Sequence, residues 1–124
     1  MTEDLFDRAL ELVMDGGQTL LANGGEVFRV QQTMEIMAAS LGVQDFHVYV
    51  LTNGIFASAH LPGGESVTLV RHVPTVSIHL GRVEAVNELS RELAAGKLGV
   101  VEAEQKLAAA RALPRVTPRR EVLA

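Results

Sequence analysis

Residues 20–42, LLANGGEVFRVQQTMEIMAASLG, decide how this chain begins to fold. Asn23, Gly24 and Gly25 are typical of a helix end followed by a turn. The residues after the turn repeat apolar side chains at helical spacing, which predicts one buried helix face made of Val27, Val30, Met34, Met37, Ala38 and Leu41. Gly42 is suited to end this second helix. The stretch therefore predicts two helices that pack as a pair across a tight turn.

The residues before this turn predict a first helix over residues 3–22. Its apolar stripe consists of Phe6, Leu10, Val13, Gly17, Leu20 and Leu21. Because Gly17 lies on the stripe, we expect another backbone to approach it closely. Asn23, with Glu26 three residues later, also resembles a capping box at the start of the second helix.

After Gly42 the apolar period changes from helical spacing to two. FHVYVL, IFASAHL and SVTLVRHV predict three strands, and Asn53-Gly54 is a strong hairpin signal. TVSIH, residues 75–79, either adds a short edge strand or leads directly into a third helix that begins near Leu80. A fourth helix ends before Pro114. The predicted fold class is α+β, with two N-terminal helices, a three-stranded antiparallel meander and two C-terminal helices.

Composition limits the classes of function. The chain has 124 residues, enough for one domain, and its 48% of apolar residues argues against disorder. It lacks cysteine, which excludes disulfides and thiolate metal sites. Its start is acidic, unlike a secretory signal, and no apolar run approaches the roughly 18 residues of a membrane span. With a net charge of −4, nucleic acid is not an expected partner, and no cofactor or metal is expected.

The C-terminal segment differs in charge from the rest of the chain. Residues 111–124 contain Arg111, Arg115, Arg119 and Arg120 against the single acid Glu121. Two interpretations are open: an ordinary frayed terminus, or a basic segment that precedes a membrane helix. The residues alone favour the frayed terminus.

The second helix carries a polar row beside its apolar face. Glu26, Arg29, Thr33 and Ser40 fall within a sector of about 60°. Glu26 and Arg29 have the spacing of an ion pair at a helix start. The row either stabilises the helix through that pair or lines a cleft or interface.

Asn87 and Ser90 lie beside the predicted buried side of the third helix. Buried polar groups need hydrogen-bond partners. They either bond a neighbouring helix or bind a small polar solute or a docking segment.

The sheet supplies a second polar group. If Asn53-Gly54 is a two-residue turn, His47 faces His60 and Tyr49 faces Ser58 on one side of the sheet. We interpret this side as a solvated polar face, because the two histidines lack a third metal ligand. Hydrolase motifs such as Gly-x-Ser-x-Gly and HExxH are absent from the sequence, and the glycines do not form a phosphate-binding loop. These observations disfavour an enzyme.

Several segments together resemble the soluble N-terminal part of the putative threonine/serine exporter family. They are LLANGGEVFRVQQTM, MAASLG, VYVLTNGIFASAH, VTLVRHVP and HLGRVEAVNELSREL, which is followed by AAGKL. The similarity extends over residues 8–112. It implies a cytosolic domain joined to membrane helices, in proteins that export threonine and serine and, in some relatives, succinate. It also implies that residues 113–124 are a basic juxtamembrane linker after a domain of residues 1–112.

Three functions follow as hypotheses. The leading one is an accessory or gating domain at the cytoplasmic face of the membrane, which senses solute or docks on the membrane part or on a small partner subunit. In it Arg29 would hold a carboxylate, and Asn87 and Ser90 would recognise an amino or hydroxyl group. The second is a small hydrolase that uses Ser58, His60 or His47. The third is an oligomerisation module for the membrane part.

Overall fold

The computed structural model describes residues 2–115. Its elements are α1 (Glu3–Ala22), α2 (Val27–Ser40), β1 (His47–Leu51), β2 (Gly54–His60), β3 (Ser66–His72), α3 (Leu80–Ala94) and α4 (Val100–Arg111). The strands form an antiparallel sheet in the order β1-β2-β3. The predicted α+β class and all seven elements are confirmed.

Helix α1 is the centre of the core, since it contacts the other three helices and strand β2. Its apolar stripe packs against the predicted inner faces of α2 and the sheet, and the side chains with at most 1% exposure include Val13, Met14, Met34, Met37, Ile55, Val86 and Leu89. Arg71 on β3 pairs with Glu11 and Asp15 on α1. Arg8 on α1 pairs with Glu104 on α4, and this guanidinium lowers the pKa of the Glu104 carboxyl. These contacts attach both the sheet and α4 to α1.

The turn between α1 and α2 corrects the predicted capping box. Asn23 is the C-cap of α1, and Glu26 itself is the N-cap of α2. The Glu26 carboxylate accepts hydrogen bonds from the backbone N–H groups of Phe28 and Arg29 at 3.0 and 3.1 Å. Gly24, with a φ of +99°, lets the chain reverse before the new helix begins. The predicted start at Asn23 was wrong by three residues.

The register of the first hairpin also differs from the prediction. Leu51 pairs with Gly54, so the two-residue loop is Thr52-Asn53 rather than Asn53-Gly54. Gly54 belongs to β2, where a Cβ would lie only 3.2 Å from the carbonyl oxygen of Arg71. Close strand packing therefore favours glycine at this position inside the sheet.

The corrected register changes the predicted pairs on the outer face. His47 pairs with Ser58 and Tyr49 pairs with Phe56, whereas His60 lies beyond the end of β1. The side-chain alternation of both strands is as predicted, with Val48, Val50, Ala57 and Ala59 on the buried side. The face is less polar than expected, because Tyr49, Phe56 and Val70 form an exposed row across all three strands.

TVSIH does not form a strand. Instead it runs along the end of α1, where Ser77 N–H donates to the Ala22 carbonyl and His79 N–H donates to the Asn23 carbonyl, both at 3.0 Å. His79 then caps α3, since its Nδ1 accepts a hydrogen bond from the Arg82 N–H at 3.1 Å. Of the two predicted alternatives for residues 75–79, the edge strand is wrong and the direct lead into the third helix is correct.

Gly17 faces a side chain rather than the backbone that was predicted. A Cβ at this position would lie 2.8 Å from Met34 Cγ and even closer to Met34 Sδ. Met34 is completely buried, so its thioether occupies the space that a larger residue at position 17 would need. The glycine lets α1 and α2 approach each other closely.

We expect Gly17→Ala to lower the free energy of unfolding by about 1–3 kcal/mol, because Met34 must shift inside a packed core. Gly63→Ala is the control, since a Cβ there meets no atom within 4 Å. Urea denaturation followed by circular dichroism measures both. An unchanged or increased stability of Gly17→Ala would show that the core accommodates the methyl group.

Candidate functional site

A buried asparagine connects three separate segments at the end of α1. The Asn23 side chain is 5% exposed. Its Nδ2 donates to the Thr19 carbonyl at 2.7 Å, and its Oδ1 accepts from Arg82 and from Arg115, each at 3.4 Å. We call the set Asn23, His79, Arg82, Leu113, Pro114 and Arg115 the Asn23 junction.

The Asn23 junction holds the chain where it leaves α4. Arg82 donates to the Leu113 carbonyl from Nε at 3.0 Å and from Nη2 at 2.7 Å. His79 Nε2 lies 3.0 Å from the Pro114 carbonyl. Because His79 Nδ1 accepts from a backbone N–H, the proton must be on Nε2, and this nitrogen donates to Pro114.

Arg115 completes the junction from the other direction. Its guanidinium donates to the carbonyls of Ile78 and Ser77 at 3.0 and 3.3 Å. Both guanidinium groups thus lie near the C-terminal end of α1, where helix carbonyls carry partial negative charge. Electrostatics and hydrogen bonds both favour the same position for residues 113–115.

An exposed apolar surface borders the junction. We call Val76, Ile78 and Leu80 the junction surface; their exposures are 49%, 72% and 74%. Ile78 lies over the turn, since a Cβ at Gly24 would be 3.1 Å from Ile78 Cγ1. Large apolar side chains at this exposure are typical of contact surfaces when they are grouped.

The predicted polar row on α2 is divided among three environments. Glu26 is engaged with backbone N–H groups, and among the described ion pairs it is not joined to Arg29, so the predicted Glu26–Arg29 ion pair is not formed. Arg29 is exposed and lines a groove of about 270 Å³ with Phe28, Gln31, Gln32 and Glu35. Thr33 points inward and is 8% exposed.

The candidate residues on α3, Asn87 and Ser90, lie outside the groove that Arg29 lines. Ser90 is 6% exposed, and its hydroxyl donates to the Asn87 carbonyl of the same helix at 2.7 Å. Asn87 is half-buried. Neither residue lines the groove of Arg29. The bond of Ser90 is within its own helix, not to the neighbouring helix that one interpretation required.

The sheet candidates are also separated. His60 Nδ1 lies 2.8 Å from Asp45 Oδ2, and both residues line a cleft of about 560 Å³ at the open end of the β1-β2 hairpin. Asp45 has a φ of +50°, a conformation that is uncommon outside glycine. His47, Tyr49 and Ser58 lie outside this cleft, on the outer face of the sheet. Within residues 2–115 no three His, Asp or Glu side chains are grouped so as to hold a metal ion.

Sequence reasoning missed Asp45, His79 and Arg82 as site residues. Asp45 stands before the first strand without a recognisable motif. The signal for the other two was weak: a histidine directly before a helix is a capable N-cap, and Arg82 follows it in the first turn. Arg115 was noticed only as part of a basic segment, whose residues 116–124 lie outside the described part of the chain.

These features define a small α+β domain. It holds residues 113–115, the chain exit after α4, beside an exposed apolar surface. The chain belongs to the family described as "Putative threonine/serine exporter", whose sequence model matches residues 11–123. This confirms the resemblance to the family that was noted from the sequence. Neither curated proteins nor solved structures contain a match to the chain.

The described helices differ from membrane spans in length or composition. Within residues 2–115, none combines the length and the apolar character that crossing a membrane requires.

We expect Asn23→Ala to lower the free energy of unfolding by about 1–3 kcal/mol, because it removes three hydrogen bonds at a buried position. Limited proteolysis should also cleave after Arg111 or Arg115 faster than in the unmodified chain. Asn53→Ala in the hairpin loop is the control, expected to change stability by less than about 0.5 kcal/mol. Equal stability and equal cleavage rates in the two variants would contradict the role given to the junction.

Proposed function

We propose that this chain is an accessory domain of a threonine/serine exporter and that it lies at the cytoplasmic face of the membrane. Transport itself belongs, in this proposal, to a membrane-spanning part of the same full-length protein or to a small partner subunit. The family to which the chain belongs supports the exporter context.

The observation that carries the proposal is the position of the junction surface. Ile78 and Leu80 are among the most exposed large apolar side chains of the described residues. They stand in the segment whose carbonyls bind Arg115 and whose His79 binds Pro114. An apolar contact surface and the exit of the chain therefore occupy the same side of the domain.

This arrangement suits docking and gating better than binding of a solute by the predicted residues. Asn87 and Ser90 do not line the groove of Arg29, which gives less support to one solute site made of all three residues. The junction, in contrast, joins the end of α1, the start of α3 and the chain after α4. A partner that displaces Ile78 or Leu80 would act directly on the segment that holds the chain exit.

A hydrolase is the second candidate. The observation that favours it is the Asp45–His60 hydrogen bond in an open cleft, since a carboxylate that orients imidazole is a common element of nucleophilic catalysis. Ser58, the candidate nucleophile, does not line this cleft. Incubation with acyl and peptide substrates would test the idea, and activity unchanged in Ser58→Ala/His60→Ala would exclude it.

We expect Leu80→Asp to reduce threonine export from cells that produce the full-length protein by at least about fivefold, the lower end of usual coupling between sites. The substitution should leave the fold intact, because position 80 is exposed and an acidic residue is favoured in the first turn of a helix. Release of labelled threonine and membrane abundance are measured together.

Val101→Asp is the matched control, since Val101 is also an exposed apolar residue in the first turn of a helix, α4. It should export threonine normally. Equal export by Leu80→Asp and Val101→Asp, at equal abundance, would refute docking through the junction surface.

We expect no rise in melting temperature when millimolar threonine, serine or succinate is added to the chain, because the predicted solute-binding residues lie apart. A thermal-shift assay measures this, with Arg29→Ala and Arg91→Ala compared. A rise that Arg29→Ala removes and Arg91→Ala retains would support sensing of the solute instead of docking.

A further inference from the structure

Within residues 2–115, strand β3 has a free edge. Val73 N–H donates to the Asn53 carbonyl and Leu61 N–H donates to the Glu65 carbonyl, which extends the β2-β3 pairing at both ends. In an antiparallel pair, alternate residues point their backbone groups toward the partner strand. Val67, Leu69 and Arg71 thus point theirs toward β2, and the remaining strand residues point theirs outward.

The outward groups belong to Ser66, Thr68, Val70 and His72. Outside the sheet, none of these four residues makes a backbone hydrogen bond within residues 2–115. The opposite edge is different, because the Gln31 side chain of α2 accepts a hydrogen bond from the Val50 N–H at 3.4 Å. Open edges readily pair with another strand, and natural proteins usually protect them.

The free edge is symmetric about its centre. β3 has seven residues, and Leu69 is the middle one. If two copies pair antiparallel with Leu69 on the two-fold axis, Thr68 faces Val70 of the second copy and Ser66 faces His72. All four residues with outward backbone groups then pair with residues that also point outward, so the whole strand is used.

The side chains of the edge suit such pairing. The four residues whose backbone groups face the free edge have side chains without a carboxylate or guanidinium group. Pairing two copies therefore does not place like charges opposite each other among these residues. Arg71 lies on the inner side of the sheet, where Glu11 and Asp15 neutralise it. On the outer side, Val70, the last residue of the row Tyr49, Phe56 and Val70, would pack against Thr68 of the second copy.

We propose that β3 is a homodimer interface, in which two copies of this chain join their sheets into one six-stranded sheet with Leu69 on the two-fold axis. The proposal is independent of the exporter function. An edge of seven residues is only about 23 Å long, and pairing along it buries less surface than a protein–protein interface of standard size. We therefore expect weak association, with a dissociation constant of roughly 10–1,000 μM.

Single-cysteine variants test the register, and the chain offers a clean background because it has no cysteine. Leu69→Cys would place two sulfur-bearing residues directly opposite each other, at a Cα separation of about 4.5–5.5 Å that permits a disulfide. Val67→Cys is the matched control on the same side of the same strand and similarly half-buried. In the proposed dimer the two cysteines at position 67 would be offset by four residues along the paired strands. This offset separates them by about 13 Å, which is too far for a disulfide.

At about 200 μM chain, within the expected range of weak interfaces, we expect oxidation to join Leu69→Cys into a covalent dimer at least tenfold faster than Val67→Cys. Circular dichroism checks that both variants are folded. Equal rates, or faster joining of Val67→Cys, would overturn the proposed register.

Sedimentation velocity tests the interface without a new cysteine. From 10 μM to 1 mM, a range that brackets the expected weak association, the unmodified chain should show a rising sedimentation coefficient, and Val70→Lys should abolish the rise. Leu51→Lys is the control, since Leu51 is similarly exposed on the outer face but belongs to the opposite edge strand. An unmodified chain that stays monomeric at 1 mM would overturn the proposal and leave the edge to a strand of another protein.

Discussion

The end of α1 is the constraint on which the rest of the structure depends. A helix leaves its last carbonyl groups without partners, and in a buried position each of them must be satisfied. Here the carbonyls of Thr19, Leu20 and Leu21 accept from the turn that follows, including Gly25 N–H at 2.7 Å from Leu20. Those of Ala22 and Asn23 accept from Ser77 and His79, more than fifty residues later. One helix end thereby determines the position of a distant segment.

This requirement explains why the two glycines and Asn23 stand together. Gly24 adopts a positive φ, and Gly25 has no room for a Cβ, which would lie 2.8 Å from the Leu20 carbonyl oxygen. The reversal leaves the Asn23 side chain buried, where its amide both donates to α1 and accepts from two arginines. The turn therefore creates the polar centre around which α3 and the chain exit are arranged. Residues 76–80 and residues 113–115 are thereby hydrogen-bonded to each other beside the same helix end.

The elements could be predicted because they depend on local pattern. Apolar residues at helical spacing and the change to a period of two placed all four helices and all three strands. The capping box failed because Asn23 and Glu26 have the right spacing, but a positive φ at Gly24 moves the helix start beyond both the asparagine and the glycines. The hairpin register failed because Asn53-Gly54 is a good turn, whereas strand packing against Arg71 uses Gly54 inside β2. In the hairpin a contact with a distant residue overrode the local preference, whereas at the start of α2 the backbone conformation of Gly24 did so.

The sequence by itself determined the α+β class, the buried faces and the family, since these follow from periodicity and from the order of short segments. Only the tertiary structure decided which polar residues act together. Helical phase placed Glu26, Arg29 and Thr33 in one row, but capping and burial give them three different environments. Asn23, His79, Arg82 and Arg115 meet because the His79 N–H donates to the Asn23 carbonyl at the helix end and both guanidinium groups donate to the Asn23 side-chain oxygen. Such partners are chosen by proximity in space, which no local pattern encodes.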